Sequence, residues 1–248
     1  MTFILTRYLY EKTKVEESLF LSLNEKNISE SMFWAYELFY SGFEDIVFQI
    51  LERIQKTFLF KTPKSFLKFY EKQMNLWRTT QNNVVPANII YNAISHTQQQ
   101  VVETIDPNNQ EKHYRKSITY VLFGETHIYK YSNYENRIPE YKAYKVLREG
   151  CLYPIRSCVD PTFIEEIEFC KKIENYHNHW LYYASFSPIW KNRIEKYGGT
   201  ICDEKKLVDF SDEDLEELFY SKFGYEPDEQ PLEIQEKNMG KILLINVL

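Results

Sequence analysis

The sequence predicts a mainly α-helical protein of stacked helical hairpins, with a small β-ribbon in its second half. Three observations carry that prediction. Apolar residues recur at three- and four-residue spacing through most of the N-terminal half. Only 7 of the 248 residues are glycine, too few for many tight hairpins or a glycine-rich phosphate loop. The stretch Ile28 to Phe60 holds the densest apolar surface in the chain, broken at Gly42.

Taken in order, Thr2 to Lys12 (Phe3, Ile4, Tyr8, Leu9) and Val15 to Leu23 (Val15, Leu19, Phe20, Leu23) each fit a short amphipathic helix. A helix from about residue 30 to about residue 41 follows, capped by Ser29 or Ser31 and stopped by Gly42, a residue free to take positive φ. Its run of Met32, Phe33, Trp34, Ala35, Tyr36, Leu38, Phe39 and Tyr40 leaves only Glu37 polar in the middle. More than one face must therefore be covered, which makes this the central helix. Glu44 and Asp45 set negative charge at the positive end of the next helix, where Ile46, Val47, Ile50, Leu51, Ile54 and Phe58 keep helical spacing. Further helices carry Phe66, Tyr70, Met74 and Trp77, and then Pro86 to Ile105.

Asp106 to Lys116 is polar, with Pro107 and paired asparagines, and reads as a linker between an N-terminal unit, 1–105, and a C-terminal unit, 117–248. Ser117 to Phe123 and Thr126 to Tyr131 are β-branched and aromatic and flank Gly124, so a two-stranded ribbon is predicted there. Pro139 opens a helix closed by Gly150, and another spans Phe163 to about Tyr176. Pro188 cannot continue a helix but can begin one, which predicts a break between the Trp180 and Trp190 segments. Leu207 to Phe210 fits a short strand. Ser211, ahead of Asp212, Glu213 and Asp214, caps a helix ending before Gly224, and Gly240 stops a last helix from Pro231 to Met239. The apolar tail KILLINVL docks as a strand or meets a partner. No constant period runs through the chain, so a true solenoid is not supported.

Charge is mild in total, −6, and uneven in place. Thirteen acids and four bases between Asp203 and Gly240 give −9 there and leave +3 elsewhere. Neither part has the basic excess of a nucleic-acid binder. Four cysteines (Cys151, Cys158, Cys170, Cys202) with no signal peptide and no apolar run long enough to span a bilayer imply free thiols, a reducing compartment and no membrane.

Each chemical motif has a simpler structural explanation. Cys151, Cys158, Cys170, His177 and His179 are zinc-ligand types, but their spacing lacks the short pairs of a zinc knuckle or finger. No nucleophile signature surrounds any cysteine. Glu140-Tyr141-Lys142 sits like the acid–lysine pair of a metal nuclease, yet falls in a first helical turn. The acids from Asp209 to Glu217 lack a calcium loop's glycine and alternation. Phe66 and Tyr70, with Lys68 and Lys72 turned away, are ordinary amphipathicity. No catalytic residue, cofactor or metal is therefore expected. Tyrosine and tryptophan anchor interfaces, so Trp180, Tyr183, Trp190 and Tyr225, with Glu226, Asp228 and Glu229, are the expected partner-facing residues.

Four phrases stand out: TRYLYEKTKVEESLFLSL from Thr6, ESMFWAYELFYSGFE from Glu30, HWLYYASFSPIWKNRI from His179 and FGYEPDEQ from Phe223. Together they resemble a protein family of nucleocytoplasmic large DNA viruses of the mimivirus-like kind, one that brings no assigned catalytic residues. The resemblance implies a setting in the host cytoplasm, the virus factory or the virion. The hairpin around Gly42 is also similar to the helical collar of clamp-loader ATPases, though no Walker A sequence occurs here. The function expected is a non-enzymatic interaction or scaffold protein with a viral or host protein as partner. The alternative is a nucleic-acid-associated accessory factor in replication, transcription or translation.

Overall fold

The computed structural model describes residues 3–58, 64–98, 119–157 and 176–241. They are mainly α-helical. Five helices open the fold: α1 (Lys12–Asn24), α2 (Ile28–Phe39), α3 (Glu44–Phe58), α4 (Lys64–Thr80) and α5 (Val85–Gln98). Four short ones follow: α6 (Glu125–Ile128), α7 (Tyr134–Arg137), α8 (Ala143–Gly150) and α9 (Trp180–Ala184). Next come α10 (Pro188–Lys196), an antiparallel ribbon of β1 (Gly199–Cys202) and β2 (Leu207–Phe210), α11 (Glu213–Phe223) and α12 (Leu232–Met239).

Helix α2 is the centre. Every residue from Glu30 to Phe39 is buried, and α1, α3 and α5 all pack on it. Its cap is Asn27 rather than Ser29 or Ser31: the Asn27 carboxamide accepts from Glu30 N at 3.2 Å and donates to the Glu30 carboxylate at 3.1 Å. Gly42 ends the hairpin turn at φ +91°, as its position predicts, and it has a second duty. A Cβ there would lie 2.5 Å from the Cβ of Pro188, so the first residue of α10 is seated on this glycine. Ile189 N donates to Ser41 O beside it, at 3.3 Å.

Several expectations are corrected. Thr2 to Lys12 is not a helix where described. Leu9 takes a left-handed φ of 58°, Leu5 bridges to Glu11, and the segment is a tight loop whose backbone bonds go partly within the loop and partly to distant partners such as Tyr183 and Asn238. The ribbon expected across Gly124 is absent there. Asn88 and Asn92, one turn apart on α5, bond the backbone of 121–123 directly: Val121 N to Asn92 Oδ1 at 2.9 Å and Phe123 N to Asn88 Oδ1 at 2.7 Å. Those side chains take the place of a partner strand, and the residues after Gly124 turn into α6 with Gly124 N donating to His127 Nδ1. The helix expected at Pro139 begins later, at Ala143. Asp212, not Ser211, caps α11. The expected linker 106–116, the helix from Phe163 and the tail lie outside the described residues. One apolar core runs from Phe3 through Trp34, Val146 and Trp190 to Ile234, so the two expected units share their interior.

Replacing Gly42 by alanine forces a methyl group into Pro188 as well as straining the turn. The expected loss is about 2–3 kcal/mol, larger than a strained turn alone would give. Urea unfolding of G42A against the parent measures it.

Candidate functional site

The polar interior is built on the N-terminal loop. Glu37, alone among the apolar residues of α2, is fully buried and receives three bonds from it. Thr6 Oγ1 donates to Oε1 at 2.6 Å, Tyr8 N to Oε1 at 3.1 Å and Arg7 Nε to Oε2 at 2.8 Å. Ser41 Oγ accepts from Arg7 N at 2.8 Å while donating to Glu37 O. Distant elements bind the same loop. Trp190 Nε1 donates to Thr6 O at 3.0 Å, Asn238 Nδ2 to Tyr8 O at 2.7 Å, and Tyr10 OH to Tyr153 O at 2.7 Å. The Arg7 guanidinium lies over the Tyr8 and Tyr40 rings, 4.5 and 5.1 Å from their centroids.

Arg7 also reaches outward, with Nη1 donating to Asn133 Oδ1 at 3.0 Å. Asn133 lines an open cleft of about 570 Å³ between α7, α10 and α11. Its floor is a second buried ion pair, Arg193 of α10 with Glu135 of α7. The Arg193 guanidinium is held between the Trp190 and Phe223 rings, at 4.5 and 4.6 Å. Glu135 Oε2 and Arg193 Nη1 are buried without a hydrogen-bond partner, as are Arg137 Nε and the Tyr225 hydroxyl. An unmet buried polar atom costs about 1–3 kcal/mol, so two such atoms within one ion pair mark this place. Burial first, then Glu135, pushes the Tyr141 hydroxyl up to about 12. Burial pushes the Tyr225 hydroxyl up as well, against the pull of Arg193. Lys196 and Lys222 stand exposed on the cleft's rim, and Tyr197 lies half-buried beside them.

The residues expected to face a partner divide in two. Trp180, Tyr183, Trp190 and Tyr225 are core, and the expectation is corrected: Trp190 and Tyr225 have no exposure, and their rings meet edge-on at 5.2 Å. Asp228 and Glu229 are exposed and Glu226 is half-buried, in a turn where Glu226 holds a positive φ of 21°. Burial and the neighbouring Glu229 raise the Glu226 carboxyl. None of these borders the cleft, whose floor sequence reasoning missed. The available signal was Arg193 three residues after Trp190 in a helix, a spacing that stacks a guanidinium on an indole.

Cys151 is buried with Sγ 3.8 Å from Tyr8 O, and burial raises its thiol from 9.0 to about 12. Cys202 is half-buried and free, while Cys158 and Cys170 lie outside the described residues. Among the described residues no three histidine, cysteine or acidic side chains gather as a metal site, and no helix is long and apolar enough to cross a membrane. No family model, curated protein or solved structure matches the chain.

Removing one partner of a buried pair leaves an uncompensated charge. Glu37→Ala is therefore expected to cost about 3–5 kcal/mol in urea unfolding, with Glu37→Ala/Arg7→Met losing less than the sum of the single variants. The raised Cys151 thiol favours the folded state up to its ordinary value of 9.0, and that contribution is lost as pH rises toward about 12. At pH 8, peptide mapping after iodoacetamide treatment should find Cys151 unmodified in folded protein and alkylated in urea.

Proposed function

We propose that this protein is a non-enzymatic interaction protein whose acidic α11–ribbon face receives a basic, partly apolar segment of a viral or host protein. One observation carries the reading: the outward face of α11 joins acids that have no ion pair among the described residues to an exposed leucine. Glu213, Asp214 and Glu217 are exposed, and Leu218 beside them is 57% exposed, while Phe219 and Phe223 on the opposite face are buried. Asp212 accepts from Asp214 N and Leu215 N as a cap, and Glu213 and Asp214 complement the helix N-terminus. Those local duties leave Glu217 and Leu218 unexplained. Glu217 follows Glu213 at i,i+4, an arrangement that mildly destabilises a helix.

The adjoining ribbon adds further exposed groups. Phe210 of β2 packs on Phe219 at 5.0 Å, and Asp209 and Leu207, on the other face of the strand, are exposed. Asp203 and Glu204 are exposed at the ribbon turn, with Lys205 and Lys206 next to them. The net negative charge of α11 speeds the approach of an oppositely charged partner, and the leucines supply apolar area once it arrives. The same charge repels a phosphate backbone, which ranks the nucleic-acid accessory reading second. The setting belongs to this proposal too: host cytoplasm, virus factory or virion, which mass spectrometry of purified particles tests.

Fluorescence anisotropy with a labelled helical peptide of alternating lysine and leucine tests the face itself. Binding should weaken by about tenfold or more in Glu213→Lys/Glu217→Lys and with added salt. Leu218→Ser should weaken it while leaving the salt dependence unchanged. A peptide that fails to bind, or binds all three proteins alike, overturns the reading.

A further inference from the structure

We propose that the cleft between α7, α10 and α11 is a binding site for a nucleoside phosphate, a reading independent of the acidic face. The cleft's volume, about 570 Å³, lies in the range of small-ligand sites. Its floor offers one donor and one acceptor, Arg193 Nη1 and Glu135 Oε2, on side chains that are 9% and 5% exposed and already joined to each other through Arg193 Nη2 and Glu135 Oε1. Both residues line the cleft, and the two free atoms, each buried, leave the hydrogen-bonding capacity of the pair incomplete.

Charge narrows the class. A bare phosphate or carboxylate reaching the floor would meet Glu135, and a simple cation would meet Arg193. The ligand must therefore bring a neutral head with its own adjacent acceptor and donor, the pattern of a nucleobase amide edge. Asn136 and Asn192 on the lining can extend that reading, and the half-buried Tyr197 ring offers a face for stacking. Toward the rim the sign becomes positive. Lys196 and Lys222 both line the cleft, and neither has a carboxylate partner among the described residues, so a phosphate tail can take both. Glu195 also lines the cleft and pairs weakly with Lys191, at 4.0 Å.

Isothermal titration of the full chain with UMP, GMP, CMP and AMP, with uridine, guanosine and inorganic phosphate as controls, tests the site. At least one monophosphate should bind saturably, with its nucleoside and phosphate alone each about tenfold weaker or more. Lys196→Ala/Lys222→Ala, changes at exposed positions, should weaken the monophosphate by about tenfold while leaving the nucleoside unchanged. Tyr197→Leu should weaken both. A trinucleotide with a terminal phosphate separates the two sources: tighter binding than the monophosphate assigns the unit to a strand end, weaker binding to the free nucleotide. No binding by any monophosphate at millimolar concentration, phosphate binding as well as the nucleotide, or indifference to the double lysine change overturns the proposal.

Discussion

A carboxylate with no exposure, set in the middle of the most apolar helix of the chain, constrains everything around it. Buried in that position, Glu37 needs both a counter-ion and donors for its remaining lone pairs, because an unpaired charge there would cost more than the fold can spare. The loop from Thr6 to Tyr8 supplies both, through one guanidinium nitrogen, one hydroxyl and one backbone amide. That demand explains why the loop is not a helix: its N–H groups are spent on Glu37 and Ser41 instead of on carbonyls four residues back.

The loop then organises elements from the rest of the chain. Trp190 and Asn238 bond its carbonyls, so α10 and α12 are located by backbone groups that a helix would have used internally. Seating Trp190 places Arg193, one turn on, between Trp190 and Phe223, and Arg193 in turn holds Glu135 of α7. Arg7 reaches the same region through Asn133. One buried ion pair thus fills the centre and the other floors the cleft that Asn133, the partner of Arg7, also lines.

Much of the helical framework was legible in the sequence because its cues are local. The stop at Gly42, the break at Pro188 and the last helix before Gly240 depend on φ restrictions and missing donors that act on neighbouring residues. Glu37 was visible as the lone polar residue in the middle of its helix, but its partners lie about thirty positions away and leave no periodic trace. The β-like stretch before Gly124 misled for the same reason, since its hydrogen bonds go to Asn88 and Asn92 rather than to a neighbouring strand. Trp180, Tyr183, Trp190 and Tyr225 were read as interface anchors, because an amphipathic ring that finds its polar partner inside the protein has the same composition as one awaiting a partner outside. Arg193 and Glu135 escaped altogether: each is ordinary in a helix until the fold brings them together.

The long reach of the N-terminal loop bears on how the chain is made. Tyr8 O finds Asn238 across 230 positions, and Thr6 O finds Trp190 across 184. At a synthesis rate of about 5–20 residues per second, the loop emerges from the ribosome roughly 10–50 s before the helices that satisfy it. During that interval α1 to α3 can collapse together, but the Thr6 carbonyl has only its local bond from Leu9 N, and the Tyr8 carbonyl has only water for company. Completion of the core is therefore a late, closing event, and the nascent protein spends its youth with its most aromatic helix incompletely roofed.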